Sequence, residues 1–234
     1  MNIWLRIAHD WLLPRTCLLC LDPTRGFELC GGCRQALPRI IKACKGCGIP
    51  LTSGALCGRC LKRPQAFDCV AIPYVYAPPM SQLIVALKFH HQLTAAAPLG
   101  VLLANHLVMT EAPLPERIVP VPLHPSRQRA RGFNQAMEIA RPLSARLGVP
   151  LAPRLVSRVK PTAPQTALRS PADRRHNVRG AFTINTKRMG ALRHVAIVDD
   201  VVTTGATTVE LARALRRAGA ERVDLWSVSR APES

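Results

Sequence analysis

Eight cysteines fall into four C-x-x-C pairs, Cys17 with Cys20, Cys30 with Cys33, Cys44 with Cys47, and Cys57 with Cys60; moving the first four positions on by 27 residues gives the last four. This is an internal repeat. Each unit, CLLC through CGGC and then CKGC through CGRC, offers four thiolates on two knuckles, the donor set of a tetrahedral zinc ion. A module with so few large apolar residues needs metal to fold. Glycines at Gly31, Gly32, Gly46 and Gly58 suit the tight turns around metal-bound sulfurs. Four pairs at one period do not suit a redox C-x-x-C, a cytoplasmic setting disfavours disulfides, and an iron–sulfur centre is a weaker alternative. Two structural zinc ions are therefore expected on Cys17, Cys20, Cys30, Cys33, Cys44, Cys47, Cys57 and Cys60. The duplication favours one ion per repeat over an interleaved, cross-braced pairing. Cys69 lies outside the repeat and reads as a core cysteine at the entry of a strand. Scaffolding, nucleic-acid contact and partner docking all remain open as roles for the ribbons.

The remaining chain is long enough for one ordinary domain, with 48% hydrophobic residues in a total of 234. Composition changes near residue 65, which predicts a double zinc-ribbon domain over 1–65 and a second domain over 66–234. The longest apolar run, Val101 to Met109, is broken by Asn105 and His106 and falls far short of a bilayer span. The first residues carry Asp10 within an apolar run and lack a small-residue cleavage site, so a cytoplasmic location is expected.

The net charge is +18, and 26 of the 32 basic residues are arginine. Between Arg117 and Arg193 sixteen Lys or Arg stand against two acids, Glu138 and Asp173. Thiolates on two zinc ions would lower the total only to +14. Such a field concentrates nucleic acid, nucleotides or polyphosphates, and the arginine fork suits phosphate.

Apolar spacing predicts helices over Met80 to His91, Ala96 to Met109 and Gln135 to Leu147, the last closed by Gly148. A strand pair is expected around Val70 to Tyr76, and further strands at Arg117 to Pro122, Leu155 to Val159, Ala181 to Ile184, HVAIVDD and RVDLWSVS. An Arg-, Gly- and Asn-rich loop precedes Gln135. The alternation is an α/β signature.

Residues 195–208, VAIVDDVVTTGATT, carry the strongest chemical signal. Four apolar residues cross the core, then Asp199 and Asp200 emerge at the strand's carboxyl end, where open α/β sheets bind ligands. A ribose diol or magnesium would relieve the repulsion of adjacent acids. Thr203, Thr204, Gly205, Ala206 and Thr207 place amides and hydroxyls at a helix N-terminus, an anion cradle that is neither a Walker loop nor a dinucleotide fingerprint.

This segment resembles the PRPP-binding fingerprint of type I phosphoribosyltransferases. With RGFNQ at 131–135, TAPQTALRSPADRRHNVRGAF at 162–182 and the doubled cysteine module, nearly the whole chain resembles the competence protein F family (ComF, also called GntX). The resemblance implies a Rossmann-like type I phosphoribosyltransferase domain bearing an N-terminal double zinc ribbon, and a role in using imported DNA during natural transformation. It implies that Asp199 and Asp200 hold the ribose hydroxyls of phosphoribosyl pyrophosphate (PRPP), that Val201 and Val202 lead into the 5-phosphate loop Thr203 to Thr207, and that magnesium accompanies the ligand. It further implies that Val121, Pro122 and Leu123 begin a pyrophosphate-binding turn, with Arg127, Arg129 and Arg131 nearby to meet the leaving group. Lys160 to Arg179, with Gln165, Arg175 and Asn177, would be the mobile loop. Only SRAPES follows Val228, so a base-binding hood would have to come from the N-terminal side. Two readings result: a phosphoribosyltransferase, or a single-stranded DNA-binding or coupling protein that keeps the PRPP site as sensor or relic. DNA-uptake or recombination proteins are candidate partners.

Overall fold

The computed structural model describes residues 15–24, 26–63, 66–161 and 178–232. Its centre is a parallel sheet in the order β3/β4, β9, β8, β5. The strands are β5 (Arg117–Pro120), β8 (His194–Val202), β9 (Arg222–Arg230), and the short β3 (Val70–Ala71) and β4 (Tyr74–Val75). β3 and β4 do not pair with each other, as the sequence reading expected; both lie along the same side of β9, parallel to it. Ile118 makes one further parallel bridge to Leu151 beyond β5.

β8 and β9 are buried on both faces because a parallel sheet is covered on both sides, so they read as near-continuous apolar runs. Val195, Ala196, Ile197 and Val198 are fully buried, as are Val223, Leu225, Trp226 and Val228. Each large side chain among them contributes roughly 1.5–3 kcal/mol by leaving water.

Helices α3 (Met80–Phe89), α4 (Ala96–Met109) and α6 (Gln135–Leu147) occupy the positions their spacing predicts, α3 ending slightly early. α4 and α6 cross at Gly100, where a Cβ would lie 2.4 Å from the Ile139 carbonyl oxygen and 2.5 Å from Pro142 Cγ. Only a hydrogen fits there. α8 (Ala206–Arg217) buries Leu211 and Leu215 against the opposite face. The arginine-rich stretch expected as loop contains α5 (Pro125–Arg131), capped by His124 and closed by Gly132 at φ +79°. β6 (Val156–Arg158) and β7 (Phe182–Ile184) form a separate antiparallel pair, followed by the single turn α7 (Thr186–Met189).

The N-terminal part contributes only short elements: β1 (Arg15–Thr16) paired with β2 (Pro23–Thr24), α1 (Gly31–Gln35) and α2 (Gly58–Lys62). It is not a free appendage, for Cys17, Leu29 and Leu37 are buried in the same apolar cluster as Leu83, Leu87, Leu103 and Trp226. Among the described residues no helix is long and apolar enough to cross a membrane.

Candidate metal centres and ligand cleft

The cysteines gather as one set per repeat: Cys17, Cys20, Cys30 and Cys33 in one, Cys44, Cys47, Cys57 and Cys60 in the other. Within each set every Sγ lies within 4.8 Å of the others. The edge of a zinc–thiolate tetrahedron with bonds of about 2.3 Å is about 3.8 Å. Cys20 and Cys30 Sγ are 3.7 Å apart, and Cys47 and Cys57 Sγ 3.8 Å. The sulfurs are already spaced for the ion. Backbone amides point at them as well, Cys33 N–H donating to Cys30 Sγ at 3.4 Å and Cys57 N–H to Cys44 Sγ at 3.3 Å. Burial pushes the Cys17 and Cys44 thiols up, but surrounding amides outweigh it and bring them down to about 6 and about 7. Both clusters could hold structural zinc. Cys69 precedes β3, and burial raises its thiol pKa.

The larger cavity, of about 690 Å³, opens at the carboxyl ends of β8 and β5. Asp199 and Asp200 sit within β8 rather than beyond it, since the strand continues through Val202. Neither is turned away from the cleft, because both line it. Asp199 remains partly open to the cavity while protein atoms crowd it; burial and the neighbouring Asp200 charge push its carboxyl up to about 8, against the pull of Lys88. Asp200 is buried, and its Oδ2 lies 2.9 Å from Lys88 Nζ. Burial alone would lower Lys88, yet the two acids hold it above its usual range. Backbone bonds fix the carboxylates: Asp199 Oδ1 accepts from Asp200 N–H at 3.0 Å, and Asp200 Oδ1 from Val201 N–H at 2.7 Å.

The next turn, Thr203 to Gly205, reverses the chain into α8. Gly205 has φ +77°, a left-handed conformation that favours glycine, with only ordinary contacts around a hypothetical Cβ. Thr204 Oγ1 accepts weakly from Ala206 N–H at 3.4 Å. The opening amides of α8 thus face the cleft beside Thr203, Thr204, Thr207 and Thr208.

Opposite stand Arg127 and Arg131 from α5, with Val121 and Leu123 from the turn after β5. Pro122 and Leu123 line a neighbouring cavity of about 330 Å³. Arg129 is exposed and lines neither of these two cavities. Asn134 caps α6 by accepting from Ala136 and Met137 N–H, and its Nδ2 donates to the Val121 carbonyl at 3.0 Å. Its position is thereby explained by loop structure. Gln165, Arg175 and Asn177 lie outside the described residues.

Sequence reasoning missed several cleft residues. Arg158, buried in β6, reaches the cavity and feels the Asp199 charge. Phe89 is 63% exposed at the rim, with the Arg131 guanidinium 5.5 Å from its ring centre. His91, at φ +53°, meets Phe133 edge-on at 5.8 Å. An exposed phenylalanine closing a helix beside Lys88 was a readable signal; Arg158 left none.

Residues 8–61 match the double zinc ribbon domain family, and residues 133–234 the phosphoribosyl transferase domain family. The DNA utilization protein YhgH of Salmonella typhi is 38% identical over 225 residues, covering 93% of this chain and 98% of that one. Competence protein F of Haemophilus influenzae is 39% identical over 211 residues, covering 87% and 90%. Among solved structures, adenine phosphoribosyltransferase from Leishmania tarentolae is 18% identical, covers 60% of this chain and 59% of its own, and has a TM-score of 0.37. Glutamine PRPP amidotransferase from B. subtilis is 20% identical, with 56% and 26% covered and a TM-score of 0.36.

Proposed function

The chain belongs to the family of DNA utilization protein YhgH and competence protein F, and on that premise we propose that it binds PRPP in the β8–α8 cleft and acts in the uptake or use of DNA. One observation carries the reading: a carboxylate pair on the central strand leads directly into a hydroxyl-rich turn and a helix N-terminus, facing Arg127, Arg131 and Arg158 across one cavity. Sugar hydroxyls suit Asp199 and Asp200, which accept hydrogen bonds. The 5-phosphate suits the amides and hydroxyls of Thr203 to Thr207. The arginines would take up charge gathering on pyrophosphate as its bond to C1 breaks, an electrostatic contribution with no nucleophilic side chain. Magnesium, held with the ligand by the Asp199 and Asp200 oxygens, would neutralise phosphate charge. Phe89, Arg131 and His91 form the rim from which an acceptor would approach.

Calorimetry with PRPP and magnesium tests the site. Asp199→Asn combined with Asp200→Asn should abolish binding while circular dichroism stays unchanged; undiminished affinity would reject the assignment. Turnover requires acceptor-dependent release of pyrophosphate.

A second reading is favoured by the exposed Arg129, Arg146, Arg154, Arg179 and Arg188, all from the basic segment. In it the chain binds single-stranded DNA and the PRPP site serves as a sensor. Affinity for an oligonucleotide should then fall steeply with salt, by a logarithmic slope of about 0.7 per phosphate neutralised. A flat salt response would count against it.

A further inference from the structure

Arg230, the last residue of β9, is only 1% exposed. Its Nε donates to the Cys47 carbonyl at 3.1 Å. Its Nη1 donates to the carbonyls of Val202 at 3.0 Å, Ala231 at 2.9 Å and Thr203. A buried guanidinium is costly unless dipoles surround it, and here the dipoles come from two places that bear chemistry. Cys47 is a ligand of the second cluster; Val202 and Thr203 are the end of β8 and the start of the phosphate turn. No other described hydrogen bond joins a cysteine cluster to that turn.

The Cys47 carbonyl is fixed by its knuckle. Cys47 and Gly48 N–H both donate to the Cys44 carbonyl, at 3.3 and 2.8 Å. Gly48 has φ +71° and lies so close to Ile72 that a Cβ would come within 2.5 Å of its Cδ1. The knuckle therefore keeps its shape only while its cysteines hold it, and a metal ion across four sulfurs is the means by which such knuckles are held. Release of that ion frees the Cys47 peptide, and Arg230 loses the one acceptor that anchors it from outside the sheet domain.

We propose that Arg230 is a positioning residue for the Thr203 to Gly205 turn, and that zinc in the second cluster orders the turn through it. The first cluster has no such link among the described residues, so the two metal sites are unequal despite their shared sequence pattern. What the turn binds rests on the reading given above; the coupling does not. If PRPP is the ligand, the linkage is reciprocal: zinc in the second cluster tightens PRPP binding, and bound PRPP retards zinc loss from that cluster.

Hydrogen exchange of the amides of residues 203–208 in the full zinc-loaded chain provides the test. Cys57→Ser, which removes a ligand of the second ion, should speed their exchange by at least about fivefold, the lower range of site-to-site coupling. Cys20→Ser, in the first cluster, should not. Arg230→Gln should speed exchange to a similar degree with two zinc ions still bound, and adding Cys57→Ser to it should change little. Arg230→Lys, which keeps a cation but not the planar fork, should fall between, and decides the matter if the Gln variant does not fold. Turn exchange indifferent to the second zinc, or a Cys57→Ser effect undiminished in the Arg230 variants, overturns the proposal. In a parallel arm, PRPP with magnesium should slow transfer of the second zinc to a chelator in the native chain but not in Arg230→Lys. A native chain that fails to bind PRPP refutes the ligand assignment, and the exchange arms still decide the coupling.

Discussion

Exchanging the two adjacent acids for asparagine one at a time should change stability in opposite directions. Asp200 and Lys88 face each other at 2.9 Å with side chains 10% and 22% exposed. Asp200→Asn leaves Lys88 beside a neutral amide. Breaking a fully buried pair costs about 3–5 kcal/mol, and partial solvation of Lys88 reduces that to about 1–3 kcal/mol, or a fall in Tm of roughly 3–10 °C in a chain of this size. Asp199 behaves differently because its carboxyl, pushed up to about 8, keeps a proton that the unfolded chain releases near pH 4. The folded state therefore binds more protons between pH 4 and 8, so the acid's contribution to stability falls as pH rises through that window and levels off above it. Asp199→Asn removes this loss. Its gain should be small near pH 5 and about 1–3 kcal/mol at pH 8, discounted from the full linkage value because the side chain is partly open to the cavity. Urea unfolding of the zinc-loaded protein at pH 5 and pH 8 measures both effects. If the two variants shift stability in the same direction at pH 8, or if the Asp199→Asn gain is equal at both pH values, the assignment of a paired Asp200 and a protonated Asp199 is wrong.

The same protonation makes cation and ligand binding pH-dependent: magnesium-dependent PRPP affinity should rise toward pH 8 with uptake linked to release of about one proton, measurable by calorimetry in buffers of different ionisation enthalpy. Gly100→Ala should destabilise the chain by about 1–3 kcal/mol through overpacking of α4 on α6, read as a lower Tm without loss of zinc. Phe89→Ala should leave Tm within about 1–2 °C and PRPP affinity unchanged while weakening any acceptor, seen as a rise in acceptor KM. Metal analysis should find two zinc ions per chain, and their removal by a chelator should lower the thermal midpoint.

Much of this architecture was legible because local patterns carried it. The apolar runs of β8 and β9, the spacing of α4 and α6, and the 27-residue cysteine offset are each readable within a short window. The paired acids and hydroxyl-rich turn were readable for the same reason, since strand, turn and helix are consecutive. Long-range partnerships were not. Lys88 meets Asp200 across more than a hundred residues, and a lysine at the end of an amphipathic helix reads equally well as solvated. Arg230 sits in an apolar strand where an arginine signals an end, not a buried bridge to Cys47. α5 was hidden because it buries no side chain and so has no apolar period; its capping His124 and closing Gly132 were the available clues. β3 and β4 looked like a hairpin because they are close in sequence, whereas one long partner strand accommodates both.

The intermixing of Cys17, Leu29 and Leu37 with the helices beside the sheet has a consequence for evolution and engineering alike. A ribbon that lends its own side chains to a neighbour's interior cannot be excised or swapped as a cassette without uncovering Leu83, Leu87 and Leu103. Fragments cut near residue 65 should aggregate, and chimaeras should succeed only when both halves are transplanted together.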